Sequence, residues 1–173
     1  MKTQNITSYR DQRGEVYPAW VKTEGEIEFV EDRFSRSTQG VVRGFHGDDT
    51  TWKLCMCVYG SLQLCVWDIR NKTRHDFILD DQTKLQVLIP PFCLNAHQCL
   101  SDECVLHYKW SHPYSLDQQW SVRYDDTTIN ATWPLPNVIL SDRDKSSQSL
   151  DTLLQKLDNW QESNVERLRF NHF

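Results

Sequence analysis

His46 follows Arg43 by three residues in the segment Arg43-Gly44-Phe45-His46, inside a stretch, residues 29–49, where charged and apolar side chains mix most densely. An imidazole titrates near neutral pH and can take up or deliver a proton. A guanidinium beside it can hold an anionic group through paired hydrogen bonds. In a plain strand a spacing of three sends the two side chains to opposite faces, whereas a bulge at Gly44 would turn both inward. The alternative leaves Arg43 as a surface cation and His46 as a loop residue. Lys53 opens the next apolar run in phase with Cys55 and Cys57. Facing inward it would need an anion to offset its burial; at a strand end its stem would carry the charge out to solvent. Tyr108 shares its phase with Cys104 and Leu106 and reads as a core residue or as an inward hydroxyl, with His107 and Lys109 on the other face. Asn95 and His97 come just after Pro90-Pro91, which end one strand and hold a turn.

A catalytic metal fits less well. Oxygen-activating barrels commonly bind iron through two histidines and a carboxylate, often from a His-x-His pair on one strand. No such pair occurs here, and His46-Gly47-Asp48 with the remote His97 is the nearest approximation. The six cysteines lack paired Cys-x2-Cys spacing, and Cys55, Cys57 and Cys65 lie in apolar runs, so they read as core thiols before a disulfide or zinc site.

These residues must be positioned by strands. Short runs bounded by Gly, Pro, Asp, Asn or Ser recur at Ile27–Val30, Gly40–Gly44, Lys53–Tyr59, Ser61–Ile69, Arg74–Leu79, Lys84–Ile89, Glu103–Trp110 and Trp120–Tyr124. Tyr59-Gly60-Ser61 reads as a tight hairpin. Without amphipathic helices between them, these strands predict an antiparallel sandwich, barrel or jelly roll. Leu150, Leu153, Leu154, Leu157 and Trp160 then recur at three- and four-residue steps, which predicts a helix over about 147–167, capped by Ser147 or Ser149 and packed outside the sheets. At 173 residues the chain suits one domain. A net charge of −5 with scattered Lys and Arg argues against a nucleic-acid partner. No apolar run is long enough for a membrane span, and the first residues lack a signal core, so a cytoplasmic protein is expected.

The stretches FVEDRFSRSTQGVVRGFH, WKLCMCVYGSLQLCVWDIR, LIPPFCLNAHQCLSDECVLHYKWSHPY, VRYDD, INATWPL and ILSDRDK resemble, in order, the dTDP-4-dehydrorhamnose 3,5-epimerase family, from about residue 10 to 145. The resemblance implies an all-β, cupin-type jelly roll, without metal or cofactor, working as a homodimer on a nucleotide-diphosphate 4-keto-6-deoxy sugar. By motif, His46 matches the family's catalytic base, Asp144 the carboxylate that orients it, Tyr108 the general acid and Lys53 the lysine near the keto oxygen. Arg13 and Arg43 match substrate-holding arginines, the former through the diphosphate. Glu31, Asp32 and Arg33 stand in the Gln-Asp-Asn run that contacts substrate. His97 matches a further contact near the sugar, Tyr114 an active-site aromatic and Arg143 a substrate-binding lysine. Pro18 and Gln119 stand where the family has glutamates that contact substrate, and Ala-His-Gly-Phe becomes Ala96-His97-Gln98-Cys99. The acid-base set matches the family while the recognition residues differ, a pattern similar to that of relatives that epimerise GDP-linked 4-keto-6-deoxy-heptoses. A C3-only epimerase, a 3,4-ketoisomerase and a non-catalytic sugar-nucleotide binder are the rival readings.

Overall fold

The structure, a computed structural model, describes residues 1–21 and 27–158. Its strands are β1 (Lys2–Asn5), β2 (Tyr9–Asp11), β3 (Gly14–Val16), β4 (Glu31–Thr38), β5 (Val42–Gly47), β6 (Lys53–Tyr59), β7 (Ser61–Asp68), β8 (Thr73–Asp80), β9 (Leu85–Ile89), β10 (Cys93–Cys99), β11 (Glu103–Trp110) and β12 (Trp120–Ser121). One sheet runs β1-β9-β6-β11-β4, a second runs β12-β5-β10-β7-β8, and β2 pairs with β3 in a separate hairpin. The ladders named in both large sheets are antiparallel.

The two large sheets lie face to face. Strand alternation explains how: Leu62, Leu64 and Val66 of β7 meet Cys55 and Cys57 of β6, Val87 and Ile89 of β9 and Leu106 of β11 in one core. The opposite face of β7 carries Cys65 and Trp67, which pack with Phe45, Leu94, Val122, Ile129, Leu150 and Leu153 in a second core. A strand buried on both faces therefore reads as an unbroken apolar run. All six cysteines are free and buried, as core thiols should be. Burial pushes the Cys55 thiol up to about 12 and that of Cys57 to about 11.

The all-β, antiparallel expectation holds, but the closed jelly roll does not. Each ladder ends at an edge, β1 and β4 in one sheet, β12 and β8 in the other, and no strand belongs to both sheets. The sheets are joined by side-chain packing and do not close into a barrel or jelly roll. Tyr59-Gly60-Ser61 illustrates why. It is not a hairpin: β6 and β7 do not pair, and Gly60 carries the chain from one sheet to the other. The expected strand at Ile27–Val30 is absent, and the chain becomes extended only at Glu31. Strand β4 escaped pattern reading because its inward positions Glu31, Arg33, Ser35 and Ser37 are polar. Strand β10, read as a turn, is a central strand between β5 and β7.

The helix expected at about 147–167 starts later. A four-residue helix, α1 (Asp142–Lys145), comes first, and residues 150–158 are helical, with Ser149 Oγ accepting from the Thr152 amide. Leu150 and Leu153 pack it on the outer face of the second sheet, as the apolar stripe predicts. The remainder of that expected helix, Trp160 included, lies outside the described residues.

The crossover at Gly60 can be tested. Its φ is +70°, and a Cβ there would press on the carbonyl oxygen of Glu103 and the hydroxyl of Ser101. Gly14 has φ +125° but open space around its Cβ position. Gly60→Ala should cost about 3 kcal/mol in urea denaturation, combining backbone strain with collision, against about 1 kcal/mol for Gly14→Ala. Equal costs would show that the crossover is loosely packed.

Candidate active site

A cavity of about 240 Å³ opens between the two large sheets. The first sheet supplies Arg33 and Ser35 from β4, Lys53 and Cys55 from β6, and Leu106, Tyr108 and Trp110 from β11. The second supplies Arg43 and His46 from β5 with Asn95 and His97 from β10. Tyr114, Gln119, Ser141, Arg143 and Asp144 close it from the loops and α1.

Arg43 and His46 reach this cavity together because β5 carries one extra residue. Asn95 pairs with His46 and His97 with Arg43, so two steps on β10 face three on β5. The slip lies at Gly44-Phe45, where Gly44 has φ +115° and a Cβ would collide with the Asn95 carbonyl and Ala96. A bulge of this kind restores the phase between residues three apart.

His46 Nε2 lies 2.7 Å from Asp144 Oδ1. Asp144 is 3% exposed. Burial alone would raise its pKa, but the hydrogen bond and charge of His46, the Ser141 hydroxyl and the Gly44 amide outweigh that and hold it below the ordinary carboxylate range. Ser141 Oγ accepts from the Asp144 amide and caps α1, so Ser141-Asp142-Arg143-Asp144 fixes the carboxylate from the helix side.

Lys53 is 4% exposed, with Nζ donating to Asn95 Oδ1 at 3.2 Å and lying 4.0 Å from Asp48 Oδ2. Burial lowers its pKa, against the pull of the Asp48 charge. Asp48, behind the cavity wall, accepts from the Thr51 amide at 2.6 Å and from Gln119 Nε2 at 2.7 Å. Tyr108 packs beside Trp110, ring centroids 5.9 Å apart, and burial raises its pKa. His97 is 3% exposed, and burial, reinforced by the charges of Arg43 and His46, lowers its pKa to about 3.

The guanidiniums differ in how they are paired. Arg33 Nη1 is 3.4 Å from Glu31 Oε1, too poorly aligned to hydrogen-bond, and its guanidinium stacks 4.2 Å over the Tyr114 ring. Arg43 donates to the Ser37 hydroxyl and the Arg36 carbonyl, and Arg143 to the Tyr114 hydroxyl, all neutral acceptors. Among the described residues, three buried side-chain polar atoms lack a hydrogen-bond partner: Arg33 Nη1, His97 Nε2 and Trp110 Nε1. All three residues line this cavity.

Of the residues singled out by sequence, His46, Tyr108, Asp144, Lys53, Arg33, Arg43, His97, Tyr114, Gln119 and Arg143 meet here. Glu31 stands just behind, accepting from the Tyr114 amide at 2.7 Å. Asp32 does not join them: alternation along β4 turns it outward, where it accepts from His107 and Lys109 at 2.7 Å each. Arg13 sits exposed at the β2–β3 turn beside Asp11. Sequence reasoning passed over Trp110 and Ser141, and weighed Asp48 only as part of a metal site. Ser141 carried a readable signal, a Ser-x-x-Asp cap three residues before the carboxylate. Among the described residues no group of three or more His, Cys, Asp or Glu side chains is placed to hold a metal, and no helix is long and apolar enough to cross a membrane.

Comparison with known proteins converges on one family. The family model for dTDP-4-dehydrorhamnose 3,5-epimerase matches residues 2–152. The enzyme of that name from Shigella flexneri is 35% identical over 131 residues, covering 71% of this chain and 72% of its own. The one from Methanothermobacter thermautotrophicus is 29% identical over 157 residues, covering 82% and 85%. The crystal structure of dTDP-6-deoxy-D-glucose-3,5-epimerase from Legionella pneumophila, in complex with dTDP-4-keto-L-rhamnose, superposes with a TM-score of 0.82 at 29% identity, covering 86% of this chain and 87% of that one. The chain belongs to the dTDP-4-dehydrorhamnose 3,5-epimerase family, and it is a sugar-nucleotide epimerase.

Proposed function

We propose that this chain inverts C3, C5 or both in a nucleotide-linked 4-keto-6-deoxy sugar of hexose or heptose length, with His46 as base and Tyr108 as acid. The observation that carries this reading is the placement of these two side chains on opposing walls of one cavity, His46 on β5 and Tyr108 on β11.

A ketone at C4 acidifies the hydrogens on its neighbours, because the electron pair left behind delocalises onto the keto oxygen as an enolate. His46 takes that proton. Its Nε2 engages Asp144 at 2.7 Å, leaving Nδ1 as the lone-pair nitrogen, and the carboxylate stabilises the imidazolium that forms. Lys53, buried and opposed only at 4.0 Å by Asp48, stabilises the enolate oxygen in a site shielded from water. Tyr108 returns a proton from the other side of the ring. A raised pKa keeps its hydroxyl protonated until it is needed. Arg43 and Arg143, whose side chains have only neutral partners, bind the diphosphate. His97, neutral over the working pH range, donates or accepts a hydrogen bond at the sugar. Arg13, exposed on the β2–β3 hairpin and not part of its own cavity's lining, serves the site of a second copy in a homodimer.

Deuterium exchange tests the reaction. In D2O, with a panel of dTDP-, GDP-, CDP- and UDP-linked 4-keto-6-deoxy sugars, the wild type should incorporate label at C3, C5 or both, and the pattern names the centres inverted. His46→Ala should remove exchange at every centre while sugar-nucleotide affinity stays within a few fold; retained exchange would exclude His46 as base. Tyr108→Phe should slow inversion by about 100-fold or more while solvent exchange persists, the loss typical of a general acid. Inversion at the wild-type rate would move the acid elsewhere.

The neutral state of His97 predicts an acid-side stability loss. An unfolded histidine titrates near 6.5, and burial holds the folded one near 3. Between these values the unfolded chain binds a proton that the folded chain does not, so stability falls as pH drops from 6.5. This one group contributes up to about 1.4 kcal/mol per pH unit. Urea denaturation of His97→Gln at pH 6.5 and 5 should show a loss about 1–2 kcal/mol smaller than in the wild type, and an unchanged slope would mean that His97 titrates in the fold as it does in the unfolded chain.

A further inference from the structure

Trp110 lies in the cavity without a role in the proton transfers above. Its indole is 6% exposed, yet Nε1–H has no acceptor among the described residues. An orphaned N–H in a folded interior costs about 1–3 kcal/mol, so such groups are rare unless a ligand satisfies them. A tryptophan kept only for packing usually finds an acceptor for its buried N–H, whereas Trp110 lines a polar cavity with that group unpaired.

The surroundings say what kind of acceptor fits. Lys53 Nζ lies 4.7 Å from the Trp110 ring centroid and Arg33 Cζ 5.3 Å from it. Both cations are partly offset, Lys53 by Asp48 and Arg33 by Glu31. Arg33 Nη1, like Trp110 Nε1, is buried with its N–H unused. Two unused N–H groups beside already balanced charges suit neutral oxygens. The guanidiniums of Arg43 and Arg143, with only neutral partners, are better placed to draw the diphosphate. Trp110 also precedes the loop by one step on the same strand face as Tyr108, on the wall that meets the sugar ring.

We infer that Trp110 and Arg33 form a donor pair that reads hydroxyl oxygens of the sugar, making Trp110 a specificity-determining residue. The inference rests on the epimerase reading for the identity of the ligand, though not for the donor geometry. The hydroxyl can belong to the ring or to the exocyclic arm, and substrates of different length separate the two.

Calorimetry on the intact protein tests it, with dTDP and dTDP-glucose as one pair of probes and GDP and GDP-mannose as another. In the wild type the sugar should tighten binding over the bare nucleoside diphosphate for at least one pair. Trp110→Phe keeps the ring and removes the donor; it should weaken sugar-nucleotide binding about 10-fold and leave nucleoside-diphosphate binding unchanged. Arg33→Lys, which keeps the charge facing Glu31, should act in the same direction. Equal losses for both kinds of probe would assign the donors to the diphosphate and overturn the inference. So would no loss in either variant, or a wild type that gains nothing from the sugar. Solvent exchange measured on the same protein preparations with the 4-keto-6-deoxy sugar panel judges the epimerase reading separately: a protein that discriminates by sugar but exchanges no deuterium into any 4-keto sugar keeps the donor pair and loses the reaction. With 4-keto-6-deoxy-hexose and -heptose on one nucleotide, a Trp110→Phe defect confined to the heptose places the hydroxyl on the arm, and an equal defect places it on the ring.

Discussion

The site depends on a slip of one residue between β5 and β10. A regular ladder would send Arg43 and His46 to opposite faces, one into the space between the sheets and the other into the outer core beside Phe45. Two steps along β10 answering three along β5 bring both into the cavity. Gly44 makes the slip feasible, since its φ of +115° and its contact with Ala96 leave no room for a side chain. The same glycine's amide reaches Asp144, so the backbone irregularity and the carboxylate that orients His46 support one another.

Around that point the charges are arranged in two ways. Lys53 and Arg33 face carboxylates at 4.0 Å and 3.4 Å, and the carboxylates are themselves held, Asp48 by the Thr51 amide and Gln119, Glu31 by the Tyr114 amide. Such pairs keep the buried Lys53 and the half-buried Arg33 tolerable without neutralising their donors. Arg43 and Arg143 have only hydroxyl and carbonyl partners. A diphosphate entering the cavity would find its counter-charge there, while the sugar would meet groups whose net charge is already low.

Open sheets suit this arrangement. Where a closed ladder would fix the spacing of both walls through hydrogen bonds, here the walls are joined by the apolar core between the sheets, and the cavity lies beside it among β4, β5, β6, β10 and β11. The outward residues of the edge strand β4 are occupied elsewhere, Asp32 with His107 and Lys109 and Phe34 stacked 4.8 Å from His107.

Local patterning carried much of the fold. Apolar runs marked β6, β7 and β11 because those strands are buried along most of their length, and three- and four-residue steps marked Leu150 and Leu153 as the inner face of a helix. Motif likeness carried the family and pointed to His46, Tyr108 and Asp144, which the fold gathers at one cavity. Strand β4 was hidden because its cavity face is polar, and the crossover at Gly60 was hidden because a tight turn looks alike whether its strands pair or part. Asp144 and His46 are 98 residues apart, so their hydrogen bond exists only through the fold. The same holds for the unused N–H of Trp110: a sequence states that a donor is present, and only the surrounding atoms determine that nothing in the chain accepts from it.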